Sequence, residues 1–189
     1  MTEPRRLRDP RELRAVAHPL RMAIIELLTL EGPLTASELA ERLDQSPANC
    51  SWHLRKLAEH QFVEEADGAH GRRRPWRMSR IGMSWDEEDD SAPEERVAGQ
   101  ALTRMLLERW VDRFLQSSES VTGQWRRAAG MSQSLTWLTP EELAELNAEV
   151  QAVMMRLQSR ISEPDQRPEG SRLCEMVSWG APIDEALIP

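Results

Sequence analysis

The strongest constraint on the fold is a helix-start signal that comes directly after a short amphipathic helix. Ser46 suits the N-cap position, and Pro47 suits the first helical position because the first turn has no backbone hydrogen bond to lose. This signal predicts a helix over 46–60. Apolar spacing predicts a shorter helix over 36–43, and Asp44-Gln45 makes the turn between them. Two short helices joined so closely, the second with polar groups facing outward, predict a helix-turn-helix.

Two further helices are predicted before this pair. The first runs from Asp9 to Ala17, and the second runs from Leu20 to Leu30, where Gly32-Pro33 ends it. Apolar residues surround the second helix widely, which is typical of a helix buried among others. Either Thr35 or Ser37 caps the helix that follows.

A β-hairpin is predicted after the helix-turn-helix. Phe62 to Ala66 has the pattern of a strand, 67–71 that of a turn, and Arg72 to Ser79 that of a returning strand. The hairpin would be the wing of a winged helix-turn-helix.

The helix over 46–60 has two contrasting faces. At 100° per residue, Cys50, Leu54 and Leu57 lie on one face, and the opposite face presents Trp52 and basic side chains. In the major groove, arginine can bind guanine and asparagine can bind adenine with two hydrogen bonds each. The alternative is a solvated helix face, but an exposed Trp is unfavourable there without a partner. The candidate DNA contacts of this helix are Ser46, Ala48, Asn49, Ser51, Trp52, Arg55 and Lys56.

The predicted wing carries four arginines, Arg72, Arg73, Arg74 and Arg77. We expect them to bind phosphates or to enter the minor groove, which adds salt-dependent affinity rather than much base selectivity. The alternative is a loop whose arginines only keep it soluble.

The net charge of -8 is unevenly distributed along the chain. Residues 1–80 contain 14 basic and 12 acidic side chains, whereas residues 81–189 contain 10 and 20. Positive charge is therefore concentrated in the half that carries the predicted recognition helix and wing. All basic residues except Lys56 are arginine. Arginine suits phosphate and guanine recognition, but the codon usage of a GC-rich genome explains the bias equally well.

The second half of the chain is predicted to be mainly helical. A long helix is expected over 93–116, and the capping box Thr139-Pro140-Glu141-Glu142 begins another. Apolar residues from Leu143 to Ile161 then recur at spacings of three and four, a seam that needs a partner helix. Segments 135–138 and 173–179 are predicted strands. The candidate dimer contacts of the two helices are Leu102, Met105, Trp110, Leu146, Val150, Val153 and Leu157.

Together these elements predict a mostly helical α+β fold in three parts. A winged helix-turn-helix domain occupies 8–82, an acidic linker 83–93, and a mainly helical dimerisation domain with a possible small sheet 94–189. The Trp and Met side chains of the last part either line an apolar effector pocket or fill the core and the dimer interface.

Three segments resemble the ArsR-like winged-helix regulators: Leu13 to Arg21, Leu34 to Ala40, and Ser51 to Leu57. Together they cover about residues 8–80. The wing over 71–77 and the segment 136–143 are similar to a subgroup with an added C-terminal helical region. The resemblance implies a homodimer on a pseudo-palindromic double-stranded operator, often its own promoter, with an effector that releases or engages it. A repressor is favoured over an activator.

The sequence departs from the family's metal-sensing members, which carry a Cys-x-Cys pair where this chain has Thr35 and Ser37. The long helix from Val97 to Gln116 also contains no histidine, so no metal and no cofactor are expected. His53 and His60 lie beside the core face of the recognition helix, where structural hydrogen bonds are favoured over metal binding. Cys50 takes a core position, where a buried thiol is favoured over a redox switch.

The sequence carries no Gly-rich phosphate loop, nucleophile elbow or His-Glu-x-x-His motif, so we expect no enzyme. It also has no apolar run of the roughly 20 residues that span a bilayer and no signal-peptide pattern, so we expect a cytoplasmic protein without a membrane partner. One alternative is a protein-interaction module on a winged-helix scaffold that no longer binds DNA, which Arg55 and Lys56 argue against. Another is an effector-free architectural DNA binder, whereas the apolar seam predicts a discrete dimer.

Overall fold

The computed structural model describes residues 5–66, 74–85 and 91–187. The chain forms two compact units, Met1–Asp112 and Arg113–Pro189. Among the described residues, no helix is both long enough and apolar enough to cross a membrane.

The first unit combines helices with short strands and ends within a long helix. In chain order its elements are β1 (Arg5–Arg6), α1 (Pro10–Val16), α2 (Pro19–Glu31), α3 (Ala36–Leu43), α4 (Pro47–Glu59), β2 (Val63–Glu65), β3 (Trp76–Met78), β4 (Met83–Ser84) and α5 (Pro93–Ser120). Helices α3 and α4 are the predicted helix-turn-helix pair, and Asp44 turns the chain between them with φ 50 and ψ 51. Aspartate tolerates this left-handed conformation better than most residues.

Side-chain caps begin each of the first four helices. The Asp9 carboxylate accepts a hydrogen bond from the Arg11 amide, and the Ser46 hydroxyl accepts one from the Asn49 amide at 3.1 Å. Thr35, and not Ser37, caps α3, because Thr35 and Glu38 form a reciprocal capping box. Each such cap contributes about 1 kcal/mol.

The core of the first unit is apolar and continuous from β1 to α5. Its fully buried side chains come from every helix of the unit, from β2 and from the segment after β1: Leu7, Leu13, Val16, Ile24, Leu39, Cys50, Leu54, Leu57, Val63 and Leu102. Burial on this scale, at roughly 25 cal/mol per Å² of apolar surface, is the main force that holds α4 in place.

The wing forms where the sequence predicts it. Strands β2 and β3 pair antiparallel with Val63 opposite Met78 and Glu65 opposite Trp76, and backbone bonds from Ala66 to Pro75 and from Ser79 to Phe62 extend the pairing at both ends. The predicted turn over 67–71 lies outside the described residues.

A second pairing was not predicted. Strands β1 and β4 pair in parallel, with Arg5 opposite Met83 and Arg6 opposite Ser84. The Trp85 indole then donates a hydrogen bond of 2.8 Å to the Thr103 hydroxyl of α5. Residues 83–85, predicted as linker, therefore pack within the first unit, while the acidic run 86–90 lies outside the described residues.

The second unit is helical but has less regular structure than predicted. It contains α6 (Gly123–Ala128), α7 (Pro140–Met155), α8 (Ser159–Ser162) and two single 3₁₀ turns, Pro164–Gln166 and Glu185–Leu187. The predicted capping box of Thr139 and Glu142 is confirmed at the start of α7. The prediction of a continuous apolar seam is wrong at its C-terminal end, because α7 stops at Met155 and Leu157 lies in a turn.

The two strands predicted in the second unit are also wrong. Segments 135–138 and 173–179 are irregular and have no strand pairing in the described chain. Trp137 and Trp179 are 85% and 73% exposed. A strand forms only where a second segment accepts its backbone hydrogen bonds, and the apolar composition of a segment does not supply that partner.

Candidate nucleic-acid interface

Helix α4 is held in the first unit by one face and leaves the other open. Cys50, Leu54 and Leu57 have no exposed surface, as their common position on the predicted inner face requires. Ala48, Trp52 and Arg55 are exposed on the outer side of the same helix. The predicted division of the helix into an apolar and a polar face is therefore confirmed.

The polar side chains of α4 differ in how firmly other groups hold them. The Asn49 amide nitrogen donates to the Gln45 side-chain oxygen at 2.9 Å, so one of its donors is already used. The Lys56 ammonium forms an ion pair with Glu59 at 2.8 Å. Arg55 has only a 3.5 Å contact to the Ser51 hydroxyl and no carboxylate partner among the described residues. Arg55 is the candidate contact whose guanidinium has the fewest competing bonds.

Trp52 is the largest exposed side chain of α4. Its indole is 46% exposed and meets the buried His53 ring edge to face, with 4.7 Å between ring centroids. The Lys56 ammonium lies 6.0 Å from the indole centroid on a neighbouring turn. The indole therefore combines an ordered position with an apolar surface open to solvent.

His53 supports α4 from inside. It is only 4% exposed, its ring lies 4.6 Å from the ring of His18, and its Nδ1 has no hydrogen-bond partner among the described residues. The expected structural hydrogen bond through that atom is thus not formed. Burial, and then the nearby His18 and Arg21, lower the pKa of His53.

His18 connects this pair to the start of α2. Its Nδ1 accepts a hydrogen bond of 3.1 Å from the Leu20 amide and so caps the helix. The Arg21 guanidinium caps the end of α1 by donating to the carbonyl oxygens of Arg14 and Ala15. Burial and Arg21 lower the pKa of His18 as well, so both imidazoles favour the neutral form.

The described part of the wing places its arginines against acidic neighbours. Arg77 pairs with Glu64 across the hairpin at 2.9 Å, and Arg74 pairs with Glu65 at 3.3 Å. All four side chains are between 44% and 65% exposed. Arg72 and Arg73 lie outside the described residues.

No sequence motif signals the structural role of Arg5. The Arg5 guanidinium donates to the backbone oxygen of His60 at 2.6 Å, forms an ion pair with Glu12 at 2.5 Å, and lies 4.4 Å from the Phe62 ring centroid. It therefore occupies the carbonyl end of α4, where a positive charge is favourable. Arg5 is one arginine among several in its segment, so the sequence does not signal its contact with a residue 55 positions away.

The candidate dimer contacts fall into two groups. Leu102 is fully buried within the chain's own core, and Met105 and Trp110 pack against that core. Leu102 therefore serves the fold of the single chain. The four others are between 42% and 57% exposed: Leu146, Val150, Val153 and Leu157.

The two cysteines have different environments. Cys50 is completely buried, and burial raises the pKa of its thiol, so the protonated form is favoured. Cys174 is exposed. Within the described ranges, no three His, Cys, Asp or Glu side chains come together as metal ligands.

Comparison with known proteins supports the motif. Residues 16–66, from the end of α1 to the first strand of the wing, match a family model described as a helix-turn-helix domain. The match covers both α3 and α4 and confirms the prediction of this motif. No curated protein matches the chain.

Two solved structures are similar to the chain at low sequence identity. NMB1585, a MarR family regulator from Neisseria meningitidis, is 15% identical, with 78% of this chain and 80% of that chain covered and a TM-score of 0.33. ZitR from Lactococcus lactis, whose structure is a complex with DNA, is 18% identical, with 78% and 74% covered and a TM-score of 0.29. The ArsR-like subgroup stays a prediction.

Proposed function

We propose that the protein is a sequence-specific, non-enzymatic DNA-binding transcription regulator. Helix α4 enters the major groove of double-stranded DNA, and the wing binds the neighbouring sugar-phosphate backbone. Recognition helices of helix-turn-helix proteins use this docking geometry. The family model over 16–66 supports the motif, and the side chains of α4 support its use on DNA.

One observation carries the proposal. Arg55 is exposed beside Trp52 on the outer face of α4, while three fully buried residues on the inner face fix the orientation of the helix. A guanidinium without a carboxylate partner retains the donors that bind O6 and N7 of guanine. A face that served only to keep the protein soluble would not need a large apolar indole beside that cation.

The ion pairs of the other candidate cations are compatible with this function. Lys56, Arg74 and Arg77 pair with glutamates at exposed positions. Exposed ion pairs contribute about 0–1 kcal/mol, so DNA phosphates can replace the glutamates at little cost. The acidic composition of residues 81–189 argues that the DNA contacts lie in the first 80 residues.

We further propose that the protein acts as a homodimer in the cytoplasm. We favour a repressor of transcription over an activator. Leu146, Val150 and Val153 leave an apolar stripe exposed along α7. A second copy that covers this stripe would present two recognition helices to a pseudo-palindromic operator, since protein and operator symmetry match. The ArsR-like resemblance over 8–80 supports the same arrangement.

The test is a selection of sequences from a random double-stranded DNA library by the full chain. We expect one enriched motif. Arg55→Ala should weaken binding to that motif by about 1–3 kcal/mol and relax the choice of one guanine position. Arg104→Ala, which removes an exposed arginine from α5, is the matched control and should bind as the unaltered chain does.

Three outcomes separate the possibilities. A motif that depends on Arg55 supports the proposal. Binding without any enriched motif would instead indicate an architectural DNA binder. No binding even at low salt would refute DNA recognition and favour a protein-interaction module.

A further inference from the structure

We propose that Trp52 is a specificity-determining residue that recognises the 5-methyl group of a pyrimidine in the major groove. The operator half-site would then carry a thymine within one or two base pairs of the guanine bound by Arg55. This inference rests on the proposed function, and it adds the chemical group that a second side chain of α4 recognises.

The first argument is the exposure of the indole. Trp52 is 46% exposed to solvent. Three other residues of the same helix are completely buried and supply its contacts with the core. The exposed part of the indole therefore contributes nothing to the core. Among the four bases, only thymine presents an apolar group, its methyl, to the major groove. An apolar indole beside a guanidinium thus matches a thymine next to a guanine.

The second argument is that the indole is held in place before any ligand binds. The ring meets the His53 imidazole edge to face at 4.7 Å, and His53 itself is 4% exposed. Aromatic pairs in this arrangement are favourable beyond the surface that they bury. A preordered indole loses little conformational entropy on binding. Most of the free energy of even a weak apolar contact therefore contributes to affinity.

The third argument is spacing along α4. Trp52 and Arg55 are three residues apart, which corresponds to about 4.5 Å along the axis of an α-helix. Successive base pairs are about 3.4 Å apart. Neighbouring base pairs are thus within reach of the two side chains together. Ala48 lies one turn before Trp52 on the exposed side and offers a small methyl of its own toward the same groove.

The experiment is a thymine-to-uracil scan of the selected operator, measured by fluorescence anisotropy with the full chain. Uracil lacks the methyl but keeps every hydrogen-bonding group of thymine. We expect one or two positions in each half-site where uracil weakens binding about fourfold, the effect of removing one buried methyl from a contact. At those positions, 5-methylcytosine should bind about fourfold better than cytosine.

Two variants assign the effect to Trp52. Trp52→Ala should bind the thymine and uracil operators equally. Trp137→Ala is the matched control, because Trp137 is a tryptophan of the second unit with 85% of its surface exposed, and it should retain the fourfold preference. Circular dichroism and thermal unfolding of both variants verify that each chain remains folded.

Each outcome decides the inference. A uracil effect that disappears only in Trp52→Ala supports it. A wild-type chain that tolerates uracil at every position, or a Trp52→Ala variant with the same uracil sensitivity, would overturn it while leaving DNA recognition by Arg55 intact. If the library yields no motif at all, the proposed function fails and this inference fails with it.

Discussion

Removing the two described arginines of the wing should make DNA binding less sensitive to salt. The double variant Arg74→Ala, Arg77→Ala removes two cations that we propose to bind phosphates. Each phosphate contact on duplex DNA adds about 0.9 to the steepness of the plot of log affinity against log salt concentration. The slope should therefore become shallower by about 1.8.

The size of the effect on affinity follows from that slope. Between about 50 and about 200 mM salt, a difference of 1.8 changes the ratio of wild-type to variant affinity roughly tenfold. The ion pairs to Glu64 and Glu65 reduce this figure only slightly, because all four side chains are at least 44% exposed and such pairs contribute about 0–1 kcal/mol.

The assay is an anisotropy titration at four or more salt concentrations, on the selected operator and on a shuffled duplex. The variant should lose affinity for both duplexes in the same proportion, because phosphate contacts carry no base information. The double variant Arg104→Ala, Arg127→Ala changes the net charge equally at exposed positions of α5 and α6 and should leave the slope unchanged. A wing variant with the wild-type slope, or one that loses affinity only for the operator, would refute this role of the wing.

The ion pair on α4, the buried His53 and the exposed face of α7 each give one further prediction. Glu59→Gln frees Lys56 and removes a negative charge near the DNA, so operator affinity should rise about twofold; unchanged or weaker binding in the same titration would contradict this. Burial lowers the pKa of His53, so below a pH of about 6.5 the unfolded chain binds more protons than the folded chain. The free energy of unfolding, measured with urea, should therefore decrease as the pH falls through that value. His53→Gln should flatten that pH dependence, and an equally steep profile would mean that other groups cause it. Val150→Glu should be a monomer in sedimentation at micromolar concentration, because a charge would lie in the apolar stripe of α7. The wild type and the control Ala144→Glu, which lies on the opposite side of α7, should be dimers. Identical sedimentation of all three proteins would contradict the proposed interface.

The sequence predicts helix starts well because the signals for them are local. Ser46 and Thr35 each cap a helix through an amide only three residues away. The end of α7 was predicted less well, since the apolar spacing continues through Leu157 after the helix has stopped at Met155. Apolar periodicity reports which residues favour burial, whereas a helix lasts only as long as its backbone bonds do.

Contacts between distant segments explain what the sequence could not predict. Strands β1 and β4 have two residues each, too few to produce a pattern, and they lie 78 positions apart in their register of Arg5 with Met83. Leu102 has the same apolar character as a dimer contact, and only its packing places it in the core. Arg109 of α5 likewise pairs with Glu26 of α2 at 2.5 Å, which no local motif signals.

In the candidate interface, too, the local pattern is predictable from the sequence and the side-chain contacts are not. The outer face of α4 follows from helical geometry and was predicted residue by residue. The glutamates that pair with Lys56, Arg74 and Arg77 were not, because the sequence contains the charges but not the directions in which the side chains extend.

The most direct test of sequence-specific DNA recognition is the ratio of the dissociation constants for the shuffled duplex and the selected operator. Anisotropy titrations of the full chain at physiological salt measure both constants. A specific regulator should prefer the operator by at least about a thousandfold, and Arg55→Ala should reduce that ratio. Equal affinity for the two duplexes, in the wild type and in Arg55→Ala alike, would contradict the central claim.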